Sequence, residues 1–252
     1  MEIFPLQATA VHRCDYLFSA RKTEIVDVKN GLSCSDMADF PVKLMSAVGA
    51  NLDGTPIVCG GGVSWTYSNK CYRFTNGVWE EFASMKKKRL SATGVIYNKK
   101  LHVFGGEDGS YELKTTETIT LDGEVNYGPK LPAAVSLHAM TAINDTVSIL
   151  SGGMTNADVI SSKTWYYNHD TEVFTSGPDL LMKRRYHGSA TIVDKVTKAK
   201  IAVVTGGGNG WKTLDLTELL IDGQWKTGTI PCREQKCFHT GTFYAQIVQI
   251  ST

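Results

Sequence analysis

The sequence lacks the marks of several large classes of protein. Its 252 residues hold 26 Lys+Arg against 25 Asp+Glu, a net charge of +1, and a nucleic-acid binder would have a strongly basic face. No apolar run approaches the roughly 18 residues of a membrane span. No basic segment followed by an apolar stretch opens the chain, so no signal peptide is visible and a cytoplasmic location is slightly favoured. We therefore expect neither nucleic acid nor membrane as a partner.

Catalytic motifs and helical periodicity are also missing. The sequence has no Ser-His-Asp ordering, no His-Glu-x-x-His pattern and no paired catalytic carboxylates. The glycine run at 206–210 resembles a phosphate loop, but it leads into another β-prone segment instead of a helix. These absences predict a protein that is not an enzyme and that needs no cofactor.

Glycine is abundant, with 24 residues, and much of it is clustered. Glycine pairs close four short apolar runs, and their first glycines are Gly60, Gly105, Gly152 and Gly206. The steps between them are 45 residues (60 to 105), 47 (105 to 152) and 54 (152 to 206). A period of about 40–55 residues with β-type segments is typical of a propeller or a related array.

Each repeat is predicted to hold four short strands, a to d, with the glycine pair after strand b, where the chain turns sharply. Thr23-Glu24, Thr116-Glu117 and Thr217-Glu218 open strand c in three repeats. Lys70-Cys71 and Thr164-Trp165 are their predicted counterparts in the other two. The common phase of these landmarks supports a repeated sheet of β-branched and aromatic residues.

The repeats resemble those of the kelch superfamily. The clearest match is Leu101–Gly106, and further matches are Trp79, Trp225 and the Met-to-Arg segments that start at Met85 and Met182. The resemblance departs at 19–20, where Ser and Ala replace glycine, and in repeat four, whose last strand lacks Trp. It implies an all-β, kelch-type β-propeller with one four-stranded blade per repeat.

The ends of the chain look complementary. The N-terminus begins with a predicted strand b at 15–20, followed by strands c and d, and 239–248 resembles strand a. We therefore expect a single domain over 1–252 with about five four-stranded blades, whose ring is closed by a C-terminal strand that completes the N-terminal blade. The alternative is a fragment of a six-bladed propeller. The approximate units are 11–42, 43–86, 87–133, 134–182 and 183–232, with a closing strand at 238–250.

One face of such a propeller carries the b–c loops and the d–a loops, and it is predicted to bind a partner. Exposed aromatic residues beside arginine are the usual composition of interface hot spots, and arginine binds carboxylates in a bidentate way. The candidate partner is thus a protein or an acidic peptide. The alternative is that Lys86–Lys88 form a solvated loop and that Arg89 and Arg185 pack under their blades. The predicted contact residues are Trp65, Tyr67, Arg89, Glu107, Tyr111, Asn156, Arg184, Arg185, Asn209 and Trp211.

Histidine and cysteine leave two alternatives open. His138, His187 and His239 share one position at the start of strand a, where packing is the expected role and a Cu or Zn site is the rival. The six cysteines fit either buried thiols or an oxidising compartment. In the second case Cys59 and Cys71 would face each other across a hairpin, and the single sequon Asn144-Asp145-Thr146 would lie in an extracellular protein.

Three functions follow in order of support. The first is a non-enzymatic interaction module, which resembles kelch-like substrate adaptors of ubiquitin ligases or actin-associated kelch scaffolds. Its partners would then include cullin-type ligase components or actin. The second is a secreted kelch propeller that binds an extracellular protein or glycan. The third is an enzyme resembling the copper oxidases built on a kelch-type propeller.

Overall fold

A computed structural model describes residues 8–10, 23–27, 33–36, 38–63, 66–194 and 197–228, without the side chains of the three N-terminal strands. The described residues contain only strands, turns and loops, and thus no helix that could span a membrane. The strands are β1 (Ala8–Ala10), β2 (Glu24–Asp27), β3 (Ser33–Asp36), β4 (Val48–Leu52), β5 (Thr55–Cys59), β6 (Gly62–Val63), β7 (Thr66–Tyr67), β8 (Lys70–Thr75), β9 (Val78–Ser84), β10 (Thr93–Tyr97), β11 (Lys100–Phe104), β12 (Thr116–Ile119), β13 (Val125–Tyr127), β14 (Ala139–Ala142), β15 (Val147–Ser151), β16 (Thr164–Asn168), β17 (Val173–Ser176), β18 (Gly188–Val193), β19 (Lys200–Thr205), β20 (Thr217–Ile221) and β21 (Gln224–Thr227).

Four antiparallel sheets confirm the predicted a–b–c–d repeat. They are sheet II (β4-β5-β8-β9), sheet III (β10 to β13), sheet IV (β14 to β17) and sheet V (β18 to β21), each in sequence order. Several a–b and c–d turns are tight and have two residues with positive φ, as at Asp53-Gly54 and Asn76-Gly77, which matches the twist of a hairpin. The a–b and c–d turns define a turn face, and the b–c loops and d–a linkers define the opposite loop face.

The N-terminal sheet differs from the predicted one. Sheet I has three strands in the order β1-β2-β3, and Ala10 lies opposite Glu24. The strand beside β2 is therefore Ala8–Ala10, whereas the predicted strand at 15–20 lies outside the described residues. The predicted closing strand at 238–250 also lies outside them.

Strand a of each sheet contacts strand a of the next, in the succession β4, β10, β14 and β18. Backbone hydrogen bonds join equivalent residues at the entry to these strands. Ser91 N donates to Ser46 O at 3.0 Å, Leu137 N to Ser91 O at 3.0 Å, and Tyr186 N to Leu137 O at 3.1 Å. The sheets are thus stacked side by side around their innermost strands, and apolar residues such as Val48, Leu101 and Ile149 are buried between them.

The glycine pairs make this stacking possible. A Cβ on Gly60 would lie 2.7 Å from the Arg89 carbonyl oxygen, in the linker to the next sheet. A Cβ on Gly61 would lie 2.8 Å from the Met45 carbonyl oxygen, in the linker that enters its own sheet. Both glycines also have positive φ. The pairs that begin at Gly60, Gly105 and Gly152 are each enclosed by two linkers, which is the close packing predicted from the sequence.

Candidate functional site

Each long b–c loop folds back on itself as a short finger on the loop face. In sheet II the finger is β6 paired with β7, and we call it finger II. Single backbone bridges form fingers III, IV and V: Glu107 with Glu112, Met154 with Ile160, and Gly208 with Thr213. Each finger also bridges to the linker that enters its own sheet. The loops predicted to carry function are therefore fixed by a bridge within each finger and by a bridge to the neighbouring linker.

Large apolar side chains stand exposed at three fingertips. Trp211 is 89% exposed on finger V, Tyr111 is 70% exposed on finger III, and Val159 is 55% exposed on finger IV. An aromatic side chain can bury about 150–250 Å² in a contact, so Tyr111 and Trp211 offer a large apolar area to a partner. Tyr111 and Trp211 are where the sequence placed partner contacts, while Val159 was not predicted.

Two predicted asparagine contacts have structural roles in the fingers. Asn209 is buried, and its Oδ1 accepts hydrogen bonds from the Trp211 and Lys212 amides at 3.0 and 3.1 Å. Asn156 is exposed, and its Oδ1 accepts from the Glu112 amide at 2.8 Å. Asn209 thus shapes the turn that presents Trp211, and Asn156 connects finger IV to finger III.

The prediction that Arg89 and Arg184 contact a partner is contradicted by their burial, since both side chains have no exposed surface. Arg89 pairs with Glu117 at 2.8 Å and donates to the Gly105 and Thr115 carbonyl oxygens. Burial lowers the pKa of Arg89, and Glu117 opposes that change. A guanidinium has five donors in a fixed fork, and here internal acceptors take most of them.

Arg184 repeats this arrangement between sheets IV and V. It pairs with Glu218 and donates to the Gly206 carbonyl oxygen at 2.9 Å. The alternative interpretation, that Arg89 and Arg185 pack under their blades, is therefore confirmed for Arg89, whereas the fully buried arginine of sheet V is Arg184 and not Arg185. Arg185 is only partly buried, and it contacts the Met154 sulfur at 2.9 Å and the ring of Tyr186.

The buried carboxylates also fix the backbone of the linkers. Glu117 accepts hydrogen bonds from the Lys86 and Lys87 amides at 2.6 and 3.0 Å. Glu218 accepts from the Leu181 and Met182 amides at 2.7 and 3.2 Å. We call each set of arginine, glutamate and linker amides a clamp. The clamp of sheet III thus sets the course of the segment that carries Lys86–Lys88.

In sheets II and IV the positions that correspond to the clamp hold uncharged residues. Gly106 N donates to Val135 O as Gly61 N donates to Arg89 O, so Val135 takes the place of Arg89 in sheet IV. In the same register, Pro132 replaces Lys86 and Trp165 replaces Glu117. Proline has no N–H that would need a carboxylate. The corresponding residues of sheet II are Pro41, Leu44 and Tyr72.

The clamped linkers are basic on their outer side. Lys86, Lys87, Lys88 and Lys183 are exposed, and none of them forms an ion pair with a described acidic residue. The Lys86 ammonium lies 5.7 Å from the centre of the Tyr127 ring. These cations are consequently open to an anionic partner on the loop face.

A cleft of about 440 Å³ separates finger II from finger III. Tyr67, Lys88, Asp108 and Ser110 contribute to its walls, and the Tyr67 ring packs beside Gly109. Glu107 is half-buried nearby, and burial, followed by the charges of Glu112 and Asp108, raises its pKa. Of the predicted contact residues, Tyr67 lines the cleft, and Glu107 lies close enough for its charge to raise the pKa of Tyr67, after the larger effect of burial. Trp65, the remaining predicted residue, lies outside the described residues.

The histidines predicted to pack do so. His138 and His187 are buried, and His138 Cε1 would lie 3.0 Å from a Cβ on Gly105 of the preceding sheet. His187 Nε2 shares a hydrogen bond with Ser151 Oγ at 3.0 Å. Burial lowers the pKa of each to about 3. Within the described part of the chain no three His, Cys, Asp or Glu residues are grouped to hold a metal, and His239 lies outside it.

Comparison with known proteins supports the fold. No family model and no curated protein matches the chain. Among solved structures the chain is similar to YjhT, with a TM-score of 0.70 and 12% identity over 82% of this chain and 77% of YjhT. At that identity the likeness shows the fold alone. Together with the stacked four-stranded sheets, it shows a β-propeller-like architecture.

Proposed function

We propose that this chain is a non-enzymatic interaction module that binds a protein or peptide on its loop face. The observation that carries the proposal is the set of exposed apolar fingertips, Tyr111, Val159 and Trp211. Interface hot spots are enriched in Trp and Tyr, surrounded by groups that exclude water. The turn face, in contrast, consists largely of tight turns.

An acidic segment is the partner that best fits the charge of the loop face. Four exposed lysines lie on the clamped linkers, and their backbone course is fixed by Glu117 and Glu218. A lysine on a fixed backbone loses less freedom when it binds a carboxylate than a lysine on a mobile loop. By its kelch resemblance the module would act as a substrate adaptor of a cullin-type ubiquitin ligase or as an actin-associated scaffold.

Affinity capture from the native source, followed by mass spectrometry, tests this proposal. The wild-type chain is compared with Tyr111→Ala/Trp211→Ala and with a control, Val78→Ala/Val173→Ala, which removes apolar groups that are 55% and 51% exposed elsewhere. We expect the fingertip variant to lose the captured proteins and the control to retain them. Equal capture by all three chains would refute binding through the fingertips.

A secreted propeller that binds an extracellular protein or glycan is the second candidate. It is favoured by the bond between Cys59 and Cys71, which lie opposite each other in β5 and β8 as expected. Disulfides persist in oxidising compartments. The oxidase-like alternative is tested by metal analysis of the purified protein.

We further propose that the propeller is kelch-type and closes as five blades. Thr23 Oγ1 donates to Ala38 O as Thr116 Oγ1 donates to Pro129 O, so Glu24 takes the position of Glu117. Lys236 stands three residues before His239, as Arg184 stands three before His187. Glu24 and Lys236 would then form the clamp of the composite blade, across the junction of the two termini.

Charge exchange tests the closure. In the proposed closed ring, Glu24→Lys and Lys236→Glu should each destabilise the fold by about 3–5 kcal/mol, because each would leave one charge of the clamp without its partner. The double exchange should recover most of this loss, whereas Glu24→Lys combined with Lys226→Glu should not, since Lys226 pairs with the exposed Asp222. Additive effects of Glu24→Lys and Lys236→Glu would contradict the closed ring.

A further inference from the structure

The turn between β14 and β15 carries the sequence Asn144-Asp145-Thr146. This is the acceptor motif for N-linked glycosylation, in which the middle residue is not proline. A glycan is bulky and must lie on the surface. Asn144 is exposed, and the Asp145 side chain is 93% exposed. The motif therefore lies where the folded protein has room for a glycan.

The hydrogen bonds of the turn leave the reactive atom of Asn144 available. Its Oδ1 accepts from the Thr146 amide at 2.9 Å and from the Val147 amide at 2.7 Å. Within the described residues its Nδ2 donates no hydrogen bond. Glycosylation converts Nδ2 to a secondary amide and keeps the carbonyl oxygen. Both hydrogen bonds that shape the turn can therefore persist after modification.

We propose that Asn144 is an N-glycosylation site of this protein. The proposal rests on the second candidate function, the secreted propeller, because a cytoplasmic adaptor or scaffold does not meet the glycosylation machinery. In the transfer, the Asn144 Nδ2 forms a bond to the anomeric carbon of a lipid-linked oligosaccharide. The bond from that carbon to the pyrophosphate oxygen breaks, the lipid pyrophosphate leaves with the electron pair, and Nδ2 loses one proton to a base. The donor comes from the secretory pathway, and the disulfide between Cys59 and Cys71 is an independent feature of that pathway.

The position of the site keeps a glycan away from the fingertips. The a–b turn of sheet IV lies on the turn face, whereas finger IV leaves the other end of β15. A five-residue strand rises about 17 Å from one end to the other. A glycan on Asn144 would thus cover the turn face, including the ion pair of Asp145 with Lys200, and leave the loop face open.

The full chain, secreted from a eukaryotic cell line behind a cleavable signal, tests the site. The oxidised protein is analysed by intact mass and by peptide mapping before and after enzymatic glycan release, which converts a modified Asn144 to Asp. The variants are Thr146→Ser, which keeps the acceptor motif, and Thr146→Ala and Asn144→Gln, which remove it. Thr146→Ala retains the Asn144 turn and so separates the motif from the fold.

We expect the wild type and Thr146→Ser to carry one glycan at Asn144, and both other variants to carry none. The wild type and Thr146→Ala should melt within a few degrees of each other, because the site is solvated. A secreted, disulfide-bonded wild type with unmodified Asn144 would overturn the proposal. So would a glycosylated protein that has lost its cooperative melting, since the glycan would then be incompatible with this turn.

Discussion

The clamp of sheet III offers a sharp test of how the linkers are held. In Glu117→Ala, the guanidinium of Arg89 stays buried without its carboxylate, and the Lys86 and Lys87 amides lose their acceptor. Breaking a buried ion pair from one side costs about 3–5 kcal/mol. For a domain of this size, 1 kcal/mol corresponds to roughly 2–4 °C in melting temperature. We expect a decrease of about 6–20 °C.

The chain itself supplies the compensated variant. Sheet IV has Pro132, Val135 and Trp165 where sheet III has Lys86, Arg89 and Glu117. The triple change Lys86→Pro/Arg89→Val/Glu117→Trp therefore removes the buried charges and the Lys86 N–H together, and it leaves the N–H of the exposed Lys87 as sheet IV leaves that of Ala133. Replacing a buried ion pair by apolar residues is often neutral or stabilising. The triple variant should therefore be more stable than Glu117→Ala by at least about 2 kcal/mol.

Urea unfolding followed by far-UV circular dichroism measures both variants, with equal m-values as the check on comparable unfolding. Arg89→Val alone serves as the second single change and should lose stability as Glu117→Ala does. A Glu117→Ala protein that unfolds within about 0.5 kcal/mol of wild type would refute the reasoning. A triple variant less stable than both single variants would show that the apolar solution depends on the surroundings of sheet IV.

Two further predictions concern the packing between sheets. The pKa of a histidine is near 6.5 in the unfolded chain, whereas the pKa of His138 and of His187 in the fold is about 3. The unfolded chain therefore binds protons more readily, and the stability of the fold should fall as the pH drops from about 6.5 toward 3. At pH 5 we expect each to cost about 2 kcal/mol. His138→Leu should therefore flatten the pH profile of the melting temperature, and an unchanged profile would contradict the role of His138. A Cβ on Gly106 would lie 2.7 Å from the Leu90 carbonyl oxygen at a φ of +89°, so Gly106→Ala should cost more than about 2 kcal/mol. Gly188→Ala, whose Cβ would meet nothing closer than 3.7 Å, is the control, and similar melting temperatures for the two would contradict the role of the glycine pair.

The repeat was predictable because its signals are local. A glycine pair after an apolar run indicates a close approach of two linkers, and this is confirmed for the pairs that begin at Gly60, Gly105 and Gly152. The predicted alignment of the repeats was less accurate where the local sequence signal is weak. Hydrogen bonding aligns Cys71-Tyr72, and not Lys70-Cys71, with Thr116-Glu117, since sheet II lacks the Thr-Glu pair that marks the register.

The roles of the arginines were not predictable from composition. Arg89 follows three lysines in a linker, and such a run usually lies in solvent. What buries it is Glu117, 28 residues later, which reaches the same place only after strands a, b and c of sheet III have formed. The signal that would have revealed the pair was present in the other repeats, where proline, an apolar residue and an aromatic change together.

The two kinds of linker differ in which residues their first position can hold, and this bears on the basic charge of the loop face. A clamped linker needs an N–H at the position of Lys86, so proline is excluded there and a long side chain can occupy it. Its neighbours then project outward, because the amides of Lys86 and Lys87 point inward to Glu117. The proline-type linkers carry Pro41-Val42-Lys43 and Pro132-Ala133-Ala134, with one lysine between them. The clamped linker before sheet V carries Leu181-Met182-Lys183, with a single lysine at the position that Lys43 occupies before sheet II. The basic charge is therefore concentrated on the clamped linker before sheet III, and an anionic partner would contact that linker, beside finger III.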